Sequence, residues 1–460
     1  MKVDVRRVRI LNDAQDRLKG PVVYVMAREQ RVKNNWALLY ALEQANTHKV
    51  PLLVLFAVGP MFNDGSSRHN EWMIKSLQDV ESDLKKFEVP FFVRCGVWSK
   101  TVCGFAHEYE AEQLVLDFNP LEPVRSWRDE LVALFPKVSI VEVDARNIVP
   151  CWMASDKAEF SARTIRPKIK KLLPEFLVPY PRLTSPKVSY NKAVPKIDWA
   201  EVRKYRQSDY SISVPTTYIP GTTAGEKMVK DFINNRLKGY ATRRNNPNVS
   251  DGVSHLSPYL RWGNISAQAV ALAVETAEAQ RSDKVAFLEE LIVRRELSDN
   301  FCFYTENSTK VAGAHAWAQK TIKEHSRDKR EYIYTLKEFE TQKTHDLLWN
   351  AAQRQMMEEG KMHGFLRMYW AKKILEWTPD AQTAIDIALY LNDKYSLDGR
   401  DSNGVVGVMW SICGVHDRAW NERPVFGKIR YMNYAGCKRK FKVKEFEARY
   451  GQKNRLHFCS

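Results

Sequence analysis

One segment in the last quarter of the chain combines side chains that could carry electrons. Residues 360–377 read G-K-M-H-G-F-L-R-M-Y-W-A-K-K-I-L-E-W. Trp370 and Trp377 stand seven residues apart, which is two turns of an α-helix, so both rings would face the same side. A rise of about 1.5 Å per residue places them roughly 10 Å apart along the axis. Such a pair can fill a core or form two steps of an electron-transfer chain, and the pattern allows both.

Two other segments combine cations or hydroxyls with helix-terminating residues and could bind an anion. Residues 240–247, Y-A-T-R-R-N-N-P, would place Arg244 at a helix end or turn. Residues 254–263, S-H-L-S-P-Y-L-R-W-G, carry two serines at a Ser-Pro step, where hydroxyls could cap a helix or bind a phosphate. Plain helix termination with solvated arginines explains the first run equally well, and the second signal is weak in isolation.

Carboxylates recur in two further segments. Residues 287–300, F-L-E-E-L-I-V-R-R-E-L-S-D-N, predict an apolar helix whose charges stand at i, i+4 spacings. Glu290 is then either part of a solvated face or a buried proton donor or hydrogen-bond partner. Residues 395–404, Y-S-L-D-G-R-D-S-N-G, form either a turn or a loop that binds cations, ribose hydroxyls or a heterocycle. Trp349 and Trp410 complete a tryptophan set that core packing alone could explain.

The first third of the chain alternates predicted strands and helices. Strands are predicted at 22–26, 52–58, 90–94, 113–117 and 138–143, and helices at 34–48, 68–87, 100–109 and 124–135, with Asn34 as the cap of the first helix. Repeated strand–helix units predict a doubly wound parallel sheet. Neither G-x-G-x-x-G nor G-x-x-x-x-G-K-[ST] occurs there, so a dinucleotide site of those kinds is unsupported. A scaffold or accessory domain is the favoured interpretation.

The helical period dominates the rest of the chain. Prolines recur between residues 177 and 224 and predict a long linker or crossover. Beyond it, helices are predicted at 226–237, 266–279, 282–303, 349–359, 362–377 and 379–390. We therefore predict an α/β domain over 1–176, a linker over 177–224 and an all-α domain over 225–460.

Composition narrows the class of protein. The net charge of the 460 residues is +16, and residues 418–460 carry 12 Lys or Arg against 3 Glu, interleaved with aromatic rings. Such a tail favours a polyanionic partner, because basic side chains attract phosphates and rings accept bases. The seven cysteines form no C-x-x-C pair, which argues against structural zinc or disulfides and favours a reducing compartment. A secretory signal and a membrane span are both absent from the sequence pattern.

Together these segments resemble the photolyase/cryptochrome superfamily, and within it the class II cyclobutane pyrimidine dimer photolyases. Superfamily-like runs are Y-x-x-x-R-x-x-P at 240–247 and L-S-P-Y-L at 256–260. Class II-like runs are residues 360–377, E-E-L-I-V-R-R-E-L-S-D-N-F at 289–301, K-T-H-D-L-L-W-N-A-A-Q at 343–353, Y-L-N-D-K-Y-S-L-D-G-R-D at 390–401 and G-K-I-R-Y-M-N-Y-A-G-C-K-R-K-F at 427–441. M-A-R-E-Q-R-V-K-N-N-W-A-L-L-Y-A at 26–41 resembles the class II antenna-type domain, so the resemblance spans nearly the whole chain.

The resemblance implies a non-covalent FAD that is reduced in the working state. Light would drive an electron from it into a pyrimidine dimer flipped out of duplex DNA. The residues implied at the FAD phosphates or ribitol are Tyr240, Ser254, His255, Leu256 and Ser257. Asn392 would lie by the central flavin ring, and Asp398 and Asp401 would bind its polar edges.

The resemblance also implies a lesion site and an electron relay. Glu290 would hydrogen-bond the dimer, and Met368 and Trp410 would pack on it. The other implied contacts to lesion or DNA are Arg244, Arg294, Arg367, Arg430, Lys438 and Arg439. Trp370, Trp349 and Trp377 would relay electrons that photoreduce the flavin. The first domain could hold a deazaflavin antenna, a folate antenna or none.

Two departures from the class I pattern affect these expectations. Class I has a tryptophan after the lesion glutamate, where this chain has Val293 and Arg294, and another at the position of Val408. The class I electron chain is thereby interrupted, and Trp370 with Trp349 must replace it. We expect a monomeric, intracellular enzyme, cytoplasmic or nuclear. A cryptochrome-like light sensor is the main alternative, and a flavin oxidoreductase or a non-catalytic nucleic-acid binder is less favoured.

Overall fold

A six-stranded sheet forms the first part of the molecule. The structure is a computed structural model that describes residues 2–12, 18–59, 66–206 and 211–451. The strands are β1 (Val8–Ile10), β2 (Val22–Met26), β3 (Leu52–Val58), β4 (Phe91–Cys95), β5 (Gln113–Asp117) and β6 (Ser139–Val143), in the order β1-β6-β5-β2-β3-β4. All neighbours pair in parallel except β1, which runs antiparallel to β6 at the edge. The predicted doubly wound parallel sheet is confirmed, and β1 is an addition that the sequence pattern did not indicate.

Both faces of the sheet are covered. Val22, Tyr24 and Met26 of β2 belong to one apolar cluster, whereas Val23 and Val25 belong to another. Alternate residues therefore point to opposite faces, and neither face meets water. This double burial explains why the strands are continuous apolar runs with no polar alternation.

Seven helices accompany the sheet and the segment after it within the described ranges. They are α1 (Trp36–His48), α2 (Ser67–Lys85), α3 (Trp98–Glu108), α4 (Glu122–Leu134), α5 (Cys151–Ala154), α6 (Ala162–Phe176) and α7 (Trp199–Tyr205). The prediction that Asn34 caps α1 is wrong. Asn34 adopts a left-handed conformation with φ of 54°, and the side chain of Asn35 accepts the backbone N–H groups of Ala37 and Leu38 instead. Asparagine tolerates that conformation, so the chain turns at one asparagine and caps at the next.

The remainder is helical, as predicted. Its helices are α8 (Thr222–Asp231), α9 (Tyr240–Arg243), α10 (Ser257–Arg261), α11 (Ala267–Thr276), α12 (Arg281–Leu288), α13 (Arg295–Tyr304), α14 (Ala316–Glu324), α15 (Leu336–Glu340), α16 (Leu347–Glu359), α17 (Gly364–Glu376), α18 (Ala381–Tyr395), α19 (Ser402–Cys413), α20 (Tyr434–Lys438) and α21 (Val443–Tyr450). Two π-helical segments, Phe232–Arg236 and Glu289–Arg294, continue α8 and α12. The pattern did not predict α19, which packs against α13, α17 and α18.

Two large apolar cores hold the molecule together. One includes residues of the sheet, of the helices up to α13, and Leu397. The other contains Ile212 and residues of the helical part from Phe301 to Tyr450. The six cysteines within the described ranges are free thiols, and Cys459 lies outside those ranges. Among the helices that the structure describes, none is long and apolar enough to cross a membrane.

Candidate functional site

A small cavity opens where α16, α17, α18 and α19 meet. Its lining combines apolar, amide and cationic side chains with two glycines: Met356, Met362, Arg367, Trp370, Ala371, Asn392, Asn403, Gly404, Gly407 and Val408. A Cβ added to Gly407 would meet no atom within 4 Å, so open space adjoins this helix face. A Cβ added to Gly404 would lie 2.8 Å from Nδ2 of Asn392, so that glycine makes room for the asparagine. This mixed lining suits a flat heterocycle with polar edges.

Cations gather beside the cavity around one buried carboxylate. Arg367 lies 2.6 Å from Oδ1 of Asp398, and although burial opposes it, Arg367 and Lys361 hold the pKa of that carboxyl below its usual value. Burial, with the charges of Arg367 and Arg236 acting in the same direction, lowers the pKa of Lys361 to about 8, although Asp398 opposes the shift. Arg236 is paired with Asp231 at 2.7 Å and Arg367 with Asp398, so Lys361 is the cation of this group best suited to meet a phosphate. Lys361 and Arg236 were not predicted, since a lysine or arginine in isolation is an ordinary surface residue.

The segment before α10 is fixed by hydrogen bonds. His255 has φ of 56°, its Nδ1 lies 3.0 Å from the Tyr218 hydroxyl, and its Nε2 lies 2.9 Å from the Ser250 carbonyl. Burial lowers the pKa of His255 to about 3, so the ring is neutral at physiological pH. Leu256 is buried, and its N–H donates to Oγ of Ser254 at 3.4 Å. The Ser257 hydroxyl oxygen is buried and has no hydrogen-bond partner among the described residues, so a ligand could bind it.

The predicted lesion residues form two groups. In the first, Arg244 pairs with Glu290 at 2.7 Å and lies 5.6 Å from the ring centroid of the buried Tyr240. Glu290 belongs to the π-helical segment and keeps 41% of its side-chain surface exposed. Arg294 is half exposed and lies 3.4 Å from Glu289. An arginine–glutamate pair that is only partly buried can exchange its partners for a polar ligand at modest cost.

The second group surrounds Trp410. Nζ of Lys372 and the guanidinium of Arg430 lie 4.9 Å and 5.4 Å from its ring centroid, and Asp417 holds Arg430 through two hydrogen bonds. Met368, which precedes Lys372 by one turn of α17, is half-buried. Lys372 was not predicted, because nothing in its spacing distinguishes it from Lys373.

The basic tail lies beside the Arg244 turn. Nδ2 of Asn248 donates to the Lys442 carbonyl at 2.9 Å, and Arg449 donates to the Asn248 carbonyl at 3.2 Å. Lys438 and Arg439 are exposed at the end of α20. The tail and the turn therefore present positive charge to the same region of surface.

Asp401 is not part of the cavity lining and is paired with two arginines from the first part of the chain. Its Oδ2 accepts from Arg28 and Arg146, which come from the sheet part of the chain, and its Oδ1 accepts from Asn403. The two arginines hold the pKa of its carboxyl well below the usual range, although burial opposes them. These contacts lend no support to the predicted role of Asp401 at the flavin edge. They join the sheet to the start of α19.

The three predicted relay tryptophans form a continuous ring chain. Trp370 lines the cavity, and its ring lies 6.2 Å from that of Trp349 at an interplanar angle of 10°. Trp349 lies 6.3 Å from Trp377 at 64°, so it stands between the two rings that share a face of α17. Nε1 of Trp370 donates to Gln353, and Nε1 of Trp349 donates to the Trp370 carbonyl. Hydrogen bonds and packing therefore fix the first two rings.

Known proteins resemble this chain over nearly its whole length. The family model described as DNA photolyase matches residues 22–187. The chain is 47% identical to the deoxyribodipyrimidine photo-lyase of Potorous tridactylus, over 96% of this chain and 84% of the relative, and 47% identical to that of Arabidopsis thaliana, over 97% and 92%. The fold resembles that of an archaeal photolyase from Sulfolobus tokodaii with two FAD molecules, with a TM-score of 0.70, 14% identity and coverage of 94% and 90%. The chain therefore belongs to the DNA photolyase family.

Proposed function

We infer that the protein splits cyclobutane pyrimidine dimers in DNA with an electron from light-excited, reduced FAD. The observation that carries this function is the 47% identity to two deoxyribodipyrimidine photo-lyases across nearly the whole chain. The cavity lined by Asn392, the adjacent cation cluster and the basic tail supply a place for the cofactor and for DNA. A cryptochrome-like sensor without repair gains no support from those relatives. Because the substrate is DNA, the enzyme acts inside cells.

The residues around the cavity fit FAD. Open space next to Gly407 and the amide of Asn392 suit the flavin ring, and Lys361, Arg236 and the 254–257 segment suit its phosphates and ribitol. When bound, FAD supplies light absorption and the electron that the dimer accepts. Met356, Met362 and Val408, which line the cavity, would exclude water from a bound ring. Arg367 and Asp398 neutralise each other at the edge of the pocket.

On the DNA side, the partly buried polar groups receive the lesion. Photolyases act on nucleotides extruded from the base stack, so the dimer must find hydrogen bonds and a stacking surface in the protein. Glu290 offers a carboxylate beside Arg244, and Trp410 and Met368 offer apolar contact. Arg430 places positive charge next to Trp410, where it would favour an electron that arrives on the dimer. Lys372 adds charge there only in its protonated form, because burial lowers its pKa to about 7.

The tryptophan chain serves a separate reaction. Photoreduction requires an electron from protein to oxidised flavin, and Trp370 lies at the cavity to supply it. Trp349 would then give an electron to Trp370, and Trp377 one to Trp349, over ring-centroid separations of 6.2 Å and 6.3 Å. Their contacts support the proposed order.

A second cleft is proposed as the antenna site. It lies at the carboxyl ends of β2, β3 and β5, where the strand order reverses, which is the usual ligand position in a doubly wound sheet. Trp98, Trp127 and Trp262 line it together with the arginines Arg28, Arg206, Arg261 and Arg400. Aromatic walls and arginines suit a flat anionic chromophore, and both a deazaflavin and a folate have that chemistry. An extra near-ultraviolet band in the purified protein that disappears in Trp98→Ala supports this site, and an unchanged band contradicts it.

A light-dependence assay tests the main function. Ultraviolet-irradiated duplex is incubated with FAD-reduced protein under blue light and in darkness, and dimers are counted. We expect loss of dimers in light alone. Equal loss in darkness, or intact dimers in light, would show that the proposed function is wrong.

A further inference from the structure

The first turn of α2, in the sheet part of the chain, lies against the ends of two helices that form the cavity. Met356 of α16 and Asn392 of α18 line the cavity, and each belongs to the last turn of its helix. The last four carbonyl groups of an α-helix have no N–H partner within the helix. Where such carbonyls are buried, donors from elsewhere in the chain must satisfy them.

Arg68 of α2 supplies these donors. It donates to the Tyr395 carbonyl at 2.5 Å, to the Met357 carbonyl at 2.7 Å and to the Met356 carbonyl at 3.4 Å. Its Nε donates to the Ser213 carbonyl at 3.0 Å. Arg68 is 3% exposed, and burial lowers its pKa to about 10, so it remains charged at neutral pH. The guanidinium therefore lies at the carboxyl ends of two helices, where the helix dipoles favour a cation.

His69 makes a second contact to the end of α18. Its Nε2 lies 2.8 Å from the Ser396 carbonyl, and its Nδ1 lies 2.9 Å from the Ser66 hydroxyl oxygen. A carbonyl can only accept, so Nε2 carries the hydrogen and Nδ1 accepts from Ser66. Next to this contact, the Leu397 N–H donates to the Gly360 carbonyl at 2.8 Å. The ends of α16 and α18 are thus joined to each other and to α2.

We propose that Arg68 and His69 are positioning residues for the FAD cavity, although both belong to the first domain. Arg68 holds the last turns of α16 and α18 together, and with them Met356 and Asn392 on the cavity wall. His69 fixes the segment that leads to Asp398 beside the cavity. Neither side chain lines the cavity, so both act through the helix ends. This inference rests on the proposed binding of FAD in this cavity.

The shape of the arginine side chain suits this position. A guanidinium carries five N–H donors in a rigid planar fork, so one side chain can satisfy several carbonyls at once. A lysine keeps the charge, but its ammonium is a compact point charge on a flexible stem. Without these donors the last turns of both helices lose a common anchor. The cavity is then less preorganised, and FAD should bind more weakly.

Arg7 provides a matched control for the loss of a buried arginine. It is 1% exposed and donates to the carbonyls of Asp144, Asn147 and Ile148 at 3.2 Å, 3.0 Å and 2.7 Å. These carbonyls lie outside α16 and α18. A general loss of stability should therefore affect the Arg7 and Arg68 variants alike, whereas a loss specific to FAD should affect the Arg68 variant alone.

The FAD affinity of the full-length holoprotein tests the proposal. Serial dilution, with the fluorescence of released flavin as the readout, gives the FAD Kd, and far-ultraviolet circular dichroism verifies folding. We expect Arg68→Met to raise the Kd about tenfold or more, which corresponds to about 1.4 kcal/mol. Arg68→Lys should recover part of this loss, and His69→Leu should show a smaller increase. Arg7→Met should stay within about twofold of the wild type.

The visible circular dichroism of the bound flavin separates positioning from general stability. At saturating FAD, this spectrum should change in Arg68→Met, return towards the wild type in Arg68→Lys and stay unchanged in Arg7→Met. A wild-type Kd in Arg68→Met, or equal losses of affinity in Arg68→Met and Arg7→Met, would overturn the positioning role. Should Arg68→Met fail to fold, the same comparison of Arg68→Lys and His69→Leu with Arg7→Met decides. A wild type that binds no FAD would instead show that the proposed function is wrong.

Discussion

Trp370 is the one relay ring that lines the cavity among the residues described, so its removal isolates photoreduction from repair. Trp370→Phe retains an aromatic ring of smaller volume, and folding should survive. We expect light-driven reduction of oxidised FAD to be abolished, while the chemically reduced variant repairs dimers normally. Absorption spectroscopy under continuous light measures the first, and dimer counting measures the second. Trp199→Phe, which replaces a tryptophan that hydrogen-bonds Glu81, is the matched control and should photoreduce normally.

Glu290 should show the opposite behaviour. Glu290→Gln keeps the shape of the side chain but removes the charge that pairs with Arg244. A hydrogen bond to a charged group contributes about 1.5–3 kcal/mol, so the repair yield should fall roughly tenfold to a hundredfold. Photoreduction should be unchanged. Glu289→Gln, whose partners are Arg166 and Arg294, serves as the control, and an equal repair defect there would contradict the assignment.

At the scale of elements, α19 contributes several residues to the cavity lining, although the sequence pattern did not predict this helix. Gly404 lies so close to Asn392 that Gly404→Ala would place a methyl group 2.8 Å from Nδ2 of the asparagine. We expect a loss of about 1–3 kcal/mol in unfolding free energy from overpacking, together with weaker FAD retention. Gly104→Ala in α3, where an added Cβ meets nothing within 4 Å, should instead gain about 0.5–1 kcal/mol. Denaturant titration of both holoproteins compares them.

The same helix shows where sequence-based prediction succeeded and where it failed. Long periodic segments such as α16, α17 and α18 were predicted to within a few residues of their observed ends. Residues 395–404 were predicted as a turn or loop, because the run is rich in carboxylates and glycines such as Asp398, Gly399 and Gly404. Packing of α19 against three neighbouring helices overrides that local preference. Such packing cannot be predicted from a local sequence pattern.

The candidate site residues also fall into two groups, those that sequence motifs indicate and those that only the tertiary structure reveals. Motifs are enough to propose the tryptophans and Glu290 as site residues, since one short run of sequence contains each. Lys372 and Lys361 could not, because their proposed roles depend on contacts with residues distant in the sequence. The Arg28–Asp299 pair joins residues 271 positions apart, and only tertiary structure reveals it.

The buried junction between α13 and the sheet predicts a pH effect. Burial raises the pKa of Glu296 to about 8, although Arg295 opposes the shift, so the folded state holds a proton that the unfolded chain releases near its ordinary pKa. Between about pH 4.5 and 8 the native state binds more protons, and stability therefore falls as pH rises through that window. In Glu296→Gln, the fall in unfolding free energy between about pH 4.5 and 8 should be smaller by a few kcal/mol. Chemical unfolding at several pH values measures it, and an unchanged slope would show that Glu296 is not the source.

At the scale of the whole molecule, the distribution of charge determines DNA affinity. Asn248 joins the Arg244 turn to Lys442 and Arg449 of the basic tail. The exposed Lys438, Arg439 and Lys440 precede Lys442 in the chain, so we expect them to face DNA bound at the Arg244 turn. Each phosphate contact should add about 0.9 to the slope of log affinity against log salt, by counterion release. This electrostatic contribution to affinity should be the same for damaged and undamaged duplex, because phosphates carry no sequence or lesion information.

Charge reversal tests whether the tail itself contacts DNA. Changing Lys438, Arg439 and Lys440 to Glu should weaken binding to damaged and undamaged duplex alike and reduce the salt slope by roughly 2–3. Changing Lys100, Lys137 and Lys170 of the first domain to Glu alters the net charge by the same amount. This control should reduce DNA affinity and the salt slope much less. Fluorescence anisotropy across a salt series measures both. Equal losses from the two reversals would mean that net charge alone attracts DNA. An affinity independent of salt would mean that phosphates contribute little, and that the lesion contacts at Glu290 and Trp410 hold the substrate without the tail.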